Sequence, residues 1–157
     1  MPATYEWSES NGAGETVQDN IANLNFGSND SYEIVPATYP VIASENSFSK
    51  YIRAKFSSTF TEISNMKFWK SAGAYVTGED IVAQANVVYA TPSATATGDS
   101  TIPVIVGSAL SVQSAAGTGT ITAPGYTKYI RLQLQTTGST PSGSVNQKTF
   151  TFQYDEV

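Results

Sequence analysis

The chain has 157 residues, of which 40% are apolar and only 13% charged, a net charge of −5, and neither cysteine nor histidine. These values exclude Cys and His nucleophiles, His general bases, thiolate zinc sites and disulfide scaffolds, and they argue against a general nucleic-acid binder, which needs a basic surface to neutralise phosphates. The opening MPATYEWSES has no basic region or apolar run, and no window approaches the roughly eighteen apolar residues of a membrane helix, so the chain reads as made soluble in a cytoplasm without a membrane partner.

In chain order, ATYEWS (3–8) and IANLNFG (21–27) read as short strands set among the turns SNGAG and GSNDS. KYIRAKF (50–56) alternates cleanly, with Ile52, Ala54 and Phe56 on one face and Tyr51, Arg53 and Lys55 on the other. ISNMKFWK (63–70) follows as a strand on which Phe68 and Trp69 point opposite ways. GEDIVAQANVVY (78–89) offers a helical face through Ile81, Ala85 and Val88, in competition with a strand over ANVVYATP (85–92). Residues 92–119 are rich in Ser, Thr, Ala and Gly and form a long loop or arm that holds strand-like IPVIVGSALSV (102–112). GTITA (119–123) is another short strand. KYIRLQL (128–134) alternates as its namesake does, placing Ile130, Leu132 and Leu134 opposite Tyr129, Arg131 and Gln133. After the turn TTGSTPSGS (136–144), KTFTFQYDEV closes the chain with Phe150, Phe152 and Tyr154 inward. Eight or nine short strands with turn chemistry about every dozen residues describe one all-β domain over 1–157, an antiparallel β-sandwich of jelly-roll or immunoglobulin-like type.

KYIR occurs twice, and beyond it the copies diverge, so convergence on one strand pattern explains it better than duplication. All eight basic residues fall in two windows, 50–70 and 128–148, each opening on one of those copies, whereas residues 1–49 carry seven acids and no base. If the KYIR strands are neighbours, Tyr51, Arg53, Lys55, Tyr129 and Arg131 share an outer face of Tyr and Arg, residue types enriched at the energetic centres of interfaces. With Trp69, if it rather than Phe68 is the outward residue of its strand, they form the candidate contact surface, a basic face on an acidic body that suits another copy or an acidic partner.

Other chemistry has weaker support. No G-x-S-x-G elbow or phosphate-binding loop occurs, and the carboxylates Glu6, Glu9, Glu62 and Glu79 with Asp80 read as solvated charges. Ser28-Asn29-Asp30 and Glu79-Asp80 could offer oxygens to calcium but lack a D-x-D-x-D-G loop, so no metal or cofactor and no enzymatic activity are expected. Trp7 and Trp69, with Tyr51, Tyr75 or Tyr129, would make a sugar-stacking platform if exposed, which keeps a carbohydrate-binding or adhesin-like module as the alternative.

The stretches YEWSESNGAG, NLNFGSNDS, ATYPVIASENSFSKYIRAKF, ISNMKFWKSAGAYVTGE and TTGSTPSGSVNQKTFTFQYDEV together resemble small β-rich virion proteins of tailed bacteriophages. That resemblance implies a structural role on the particle, most simply a decoration or cement protein that stabilises the head. Its partners would be the major capsid protein or other virion proteins, and it would be a homo-oligomer such as a trimer. It lends no catalytic residues.

Overall fold

The computed structural model describes residues 3–143 and 146–157. Ten antiparallel strands form two sheets packed as a sandwich: β1 Thr4–Asn11, β2 Thr16–Gln18, β3 Lys50–Ser57, β4 Ile63–Ala72, β5 Glu79–Val87, β6 Ser100–Thr101, β7 Leu110–Ser111, β8 Gly125–Tyr126, β9 Tyr129–Thr136 and β10 Thr149–Glu156. The larger sheet runs β2-β1-β3-β9-β5-β6, with β8 also paired to β3; the smaller runs β10-β4-β7. Among the described residues no helix is long and apolar enough to cross a membrane.

Alternation decides which side of each strand enters the core. Ile52, Ala54 and Phe56 of β3, Ile130, Leu132 and Leu134 of β9, and Ile81 and Ala83 of β5 line the inner face of the large sheet. Met66 and Phe68 of β4 meet them from the small one. Phe150, Phe152 and Tyr154 of β10 pack on this cluster as predicted, and Tyr5 and Trp7 of β1 join them in an aromatic layer. Each fully buried Ile, Leu or Phe stabilises the fold by about 1.5–3 kcal/mol through removal of apolar area from water.

Four of the expected strands are corrected, and the helical alternative over 78–89 is not taken. Residues 21–27 form no strand; they run as irregular chain across one end of the sandwich. The window 78–89 holds no helix: β5 occupies Glu79–Val87 in register with β9, so Ile81, Ala83 and Ala85 follow a period of two rather than helical spacing. The strand expected over 85–92 therefore ends early, at a bulge where Asn86 adopts a φ of 63°. There the Asn86 side chain accepts from the Gln113 N–H at 2.7 Å and donates to the Ser111 carbonyl at 2.8 Å, tying the bulge to the chain around β7. Residues 102–112 contain only β7 and a single 3₁₀ turn, Val106–Ser108, and residues 119–123 contribute one bridge, Ile121 to Ile63. The Ser/Thr/Ala/Gly-rich segment 92–119 is anchored where Ile102 and Val112 enter the core. Ser144, the end of the predicted 136–144 turn, lies outside the described residues.

Candidate functional site

The two KYIR strands are neighbours, with Lys50 opposite Leu132, Tyr51 opposite Arg131 and Ile52 opposite Ile130. Tyr51, Arg53, Lys55, Tyr129 and Arg131 do point away from the core. They are not one open surface, however, because a second layer of chain closes over the two tyrosines, while Arg53, Lys55 and Arg131 stay partly exposed. Tyr51 and Tyr129 are only 2% and 6% exposed. Tyr89, arriving from the chain after β5, packs against both rings with centroids 5.0 and 5.6 Å away. Its hydroxyl donates to the Gly12 carbonyl. The Tyr129 hydroxyl donates to Glu15 Oε1 at 2.7 Å and pairs with Ser10 Oγ at 2.7 Å. Burial pushes the Tyr89 and Tyr129 phenols up to about 12.

The cations of this face are spent inside the molecule. Arg53 stacks its guanidinium 3.9 Å from the Tyr126 ring centroid and 4.5 Å from that of Tyr129. Arg131 grips Asp99 through Nε at 2.8 Å and Nη2 at 2.6 Å and reaches Gln84, and the Asp99 bond raises its pKa further. Lys55 pairs with Asp19 and with Glu6 at 3.1 Å. Its hydrogen bond to Asp19, followed by the one from Ser8, holds the Asp19 carboxyl below its ordinary value. Lys50 lies on the inner face, buried against Glu9. The expected basic face on an acidic body is thus corrected: the acids of residues 1–49 fold onto the lysines of 50–55. Two-residue alternation separates the faces of a strand but carries no information about what covers the outer one.

Phe68 takes the core side of β4, so Trp69 is the outward member of the pair, half-buried on the outer face of the small sheet opposite Thr151, with Lys67 two residues away opposite Gln153. Its surroundings were not foreseen. The chain between β6 and β7 runs alongside β4, held by the Lys70 N–H donating to the Pro103 carbonyl at 2.9 Å. It then turns through the 3₁₀ turn and leaves Val104, Ile105 and Val106 consecutively 53%, 61% and 44% exposed. Three adjacent apolar side chains in water at a hydrogen-bonded turn are unusual on a solvated surface and make this turn a candidate contact site. The signal lay in IPVIVGS, whose run of apolar residues between Pro and Gly is also what made it look like a buried strand.

A cleft of about 580 Å³ lies at one end of the sandwich, where the irregular 21–26 chain and residues 146–150 fail to close the gap between the sheets. Trp7, Phe68 and Phe150 form its apolar floor, and Asn23, Asn25 and Asn146 supply amides at its rim. Glu79 and Lys148 pair at 2.7 Å on its wall with side chains 1% and 5% exposed, and Glu79 Oε2 also accepts from the Val76 N–H at 2.9 Å. Tyr75 lies against Lys70 and Lys148, and burial, aided by the Asp80 charge, pushes its phenol up to about 12.

The tryptophans do not share an exposed strip: Trp7 is packed edge-on to Tyr5, Phe68 and Phe152, and only Trp69 lies on an outer face. Neither turn considered for calcium is free to bind it. Asp30 accepts from Asn11 Nδ2 and the Gly12 N–H, and Glu79 is engaged by Lys148. Among the described residues no group of three or more Asp, Glu, His or Cys could hold a metal ion. No protein-family model matches the chain, and no curated protein or solved structure matches it.

Proposed function

We propose that the protein is a structural module that works by surface attachment, a decoration or cement protein of the virion type its sequence resembles. The observation that carries this reading is the exposed Val104-Ile105-Val106 turn beside Trp69. Apolar side chains fixed by backbone hydrogen bonds lose little conformational entropy when a partner covers them, which favours their use as anchors. The partner is a shell protein or a neighbouring copy, and many copies on one lattice would turn a modest contact into firm attachment through effective concentration. The KYIR residues lie on the larger sheet, away from this surface, and support the fold; Arg53→Glu or Arg131→Glu would damage the domain before it affected any contact.

The test pairs Ile105→Asp with Trp69→Ala. Both positions are on the outside, so the thermal midpoint should fall by no more than a few degrees, while occupancy on purified shells and self-association in sedimentation should drop at least about tenfold. Unchanged occupancy and sedimentation would remove this surface from the account.

The cleft favours a second reading, a glycan or small-ligand module, because aromatic floor and amide rim are the chemistry of sugar recognition. Quenching or enhancement of Trp fluorescence on titration with oligosaccharides, lost in Trp7→Phe, is its signature.

A further inference from the structure

At the end of β1 and the start of β3, three side chains meet that the contact surface and the cleft do not use. The β1–β3 register places Glu9 opposite Ile52 and Ser10 opposite Tyr51, so one step further Asn11 faces Lys50. Residues two apart on a strand share a side, which puts Glu9, Asn11 and Lys50 together on the inner face. All three are buried. Lys50 Nζ donates to Glu9 Oε1 at 2.7 Å, and Asn11 Nδ2 donates to the same oxygen at 3.0 Å. The amine and the carboxamide nitrogen are therefore no more than about 6 Å apart with one carboxyl group between them. Asp30 Oδ1 accepts the second Asn11 N–H at 3.0 Å and so fixes the carboxamide, and the Ser31 carbonyl accepts from Lys50 at 2.7 Å. Glu9 Oε2 and Asn11 Oδ1 are buried without any partner.

A buried ion pair with two orphaned oxygens is a poor device for stability alone, since each unsatisfied group carries its full desolvation cost. The same arrangement is what amide exchange requires: a desolvated amine as nucleophile, a carbonyl carbon as electrophile, and an acid between them to carry the proton. We infer that Lys50 and Asn11 join in an intramolecular isopeptide bond, with Glu9 as the proton carrier. The Lys50 ammonium passes a proton to Glu9; the Nζ lone pair attacks Asn11 Cγ and forms the new C–N bond. The tetrahedral carbon then expels Nδ2, which leaves with a proton from Nζ and the one held by Glu9. Overall, an ammonium and a carboxamide become a secondary amide and an ammonium ion, with no oxidant, cofactor or external nucleophile. A small pocket of about 230 Å³, lined by Asn11, Asp30 and Ser31, gives the ammonia a way out.

The test is the mass of the purified, folded full chain. Loss of ammonia lowers it by about 17 Da per link. Proteolysis before aspartate separates Asn11, in fragment 1–18, from Lys50, in fragment 30–79, so the link yields one branched peptide containing both. Glu9→Gln and Lys50→Arg should restore the unlinked mass and the two separate fragments. A native chain of unreduced mass that yields fragments 1–18 and 30–79 separately overturns the inference, whatever the variants do. A deficit of about 18 Da with the branch at Asp30 overturns the assignment to Asn11.

Discussion

Replacing Lys148 by Met is the sharpest perturbation of the fold itself. Lys148 precedes β10 and pairs with Glu79 at the start of β5, so the bond fastens the small sheet to the large one beside the open end of the cleft. Met preserves most of the volume and removes the charge. Glu79 would then retain the Val76 N–H on Oε2, while Oε1 would lose its 2.7 Å partner in a site where the side chain is 1% exposed. Breaking a buried pair from one side costs about 3–5 kcal/mol, a large share of the 5–15 kcal/mol typical of a domain. At this chain length the loss corresponds to a fall of about 10–15 °C in the thermal midpoint. The assay is a thermal or urea melt of Lys148→Met and of the double variant Lys148→Met/Glu79→Met. The double variant should be more stable than the single, because it removes the uncompensated charge, and salt should change neither result, since water does not reach the pair. A loss below about 1 kcal/mol for the single, or a double no more stable than Lys148→Met, would refute the claim that this pair is a desolvated clasp.

The buried phenols set an alkaline limit. Tyr75, Tyr89 and Tyr129 are raised from 10.0 to about 12. The unfolded chain therefore releases these protons first, and the stability they confer is full below pH 10 and is lost as pH rises towards and through 12. Phenolate absorbance followed together with circular dichroism should show these three ionising as the fold melts; ionisation near pH 10 in a folded protein would contradict their burial. Gly73 tests close packing. It holds a φ of +91°, and a Cβ there would sit 2.3 Å from the Gln147 carbonyl oxygen and 2.8 Å from Lys148 Cα, so Gly73→Ala should cost at least about 2 kcal/mol in a urea melt. Gly12, at a φ of +72° with nothing within 4 Å, should cost only about 1 kcal/mol on the same change. Equal losses at the two would mean that backbone conformation alone, rather than the approach of the 147–148 chain, governs Gly73.

The parts of the fold legible in the sequence are those where pattern and consequence are local. KYIRAKF, KYIRLQL and KTFTFQYDEV alternate over six or more residues, and the inner and outer faces they announce are the ones found. The window 78–89 was ambiguous because Ile81 and Ala85 satisfy a helical spacing while Ile81, Ala83 and Ala85 satisfy a strand; pairing with β9, 50 residues away, chose between them. The tyrosines of KYIR illustrate a deeper limit. Their burial depends on Tyr89 and on the turn at Gly12–Glu15, neither of which is near 51 or 129 in the chain, and a period of two is silent about a third layer. Charge behaved likewise. Lys50 and Lys55 looked like the start of a basic surface because Glu9 and Asp19 lie more than thirty residues away in sequence, yet the β1–β3 pairing brings Glu9 to Lys50 and the chain just after β2 carries Asp19 to Lys55. Alternation required Phe68 and Trp69 to point opposite ways but left open which of them faces the core; packing of Phe68 against Trp7 and Phe150 decides it, and the apolar turn beside Trp69 needed the path of another loop.

The order of strands carries a consequence for biosynthesis. β9 lies between β3 and β5, so the middle of the larger sheet is an element made after both of its neighbours, and β4 lacks its long partner until β10 follows. At ribosomal rates the interval between translation of β3 and of β9 is on the order of ten seconds. During that time β1, β3, β4 and β5 exist as apolar ribbons with free edges, and the closure that rewards them is almost wholly non-local. Closure of the larger sheet therefore waits on β9, and the yield of the protein in a cell is set by how long those ribbons can be kept from pairing wrongly with one another or with a neighbouring nascent chain.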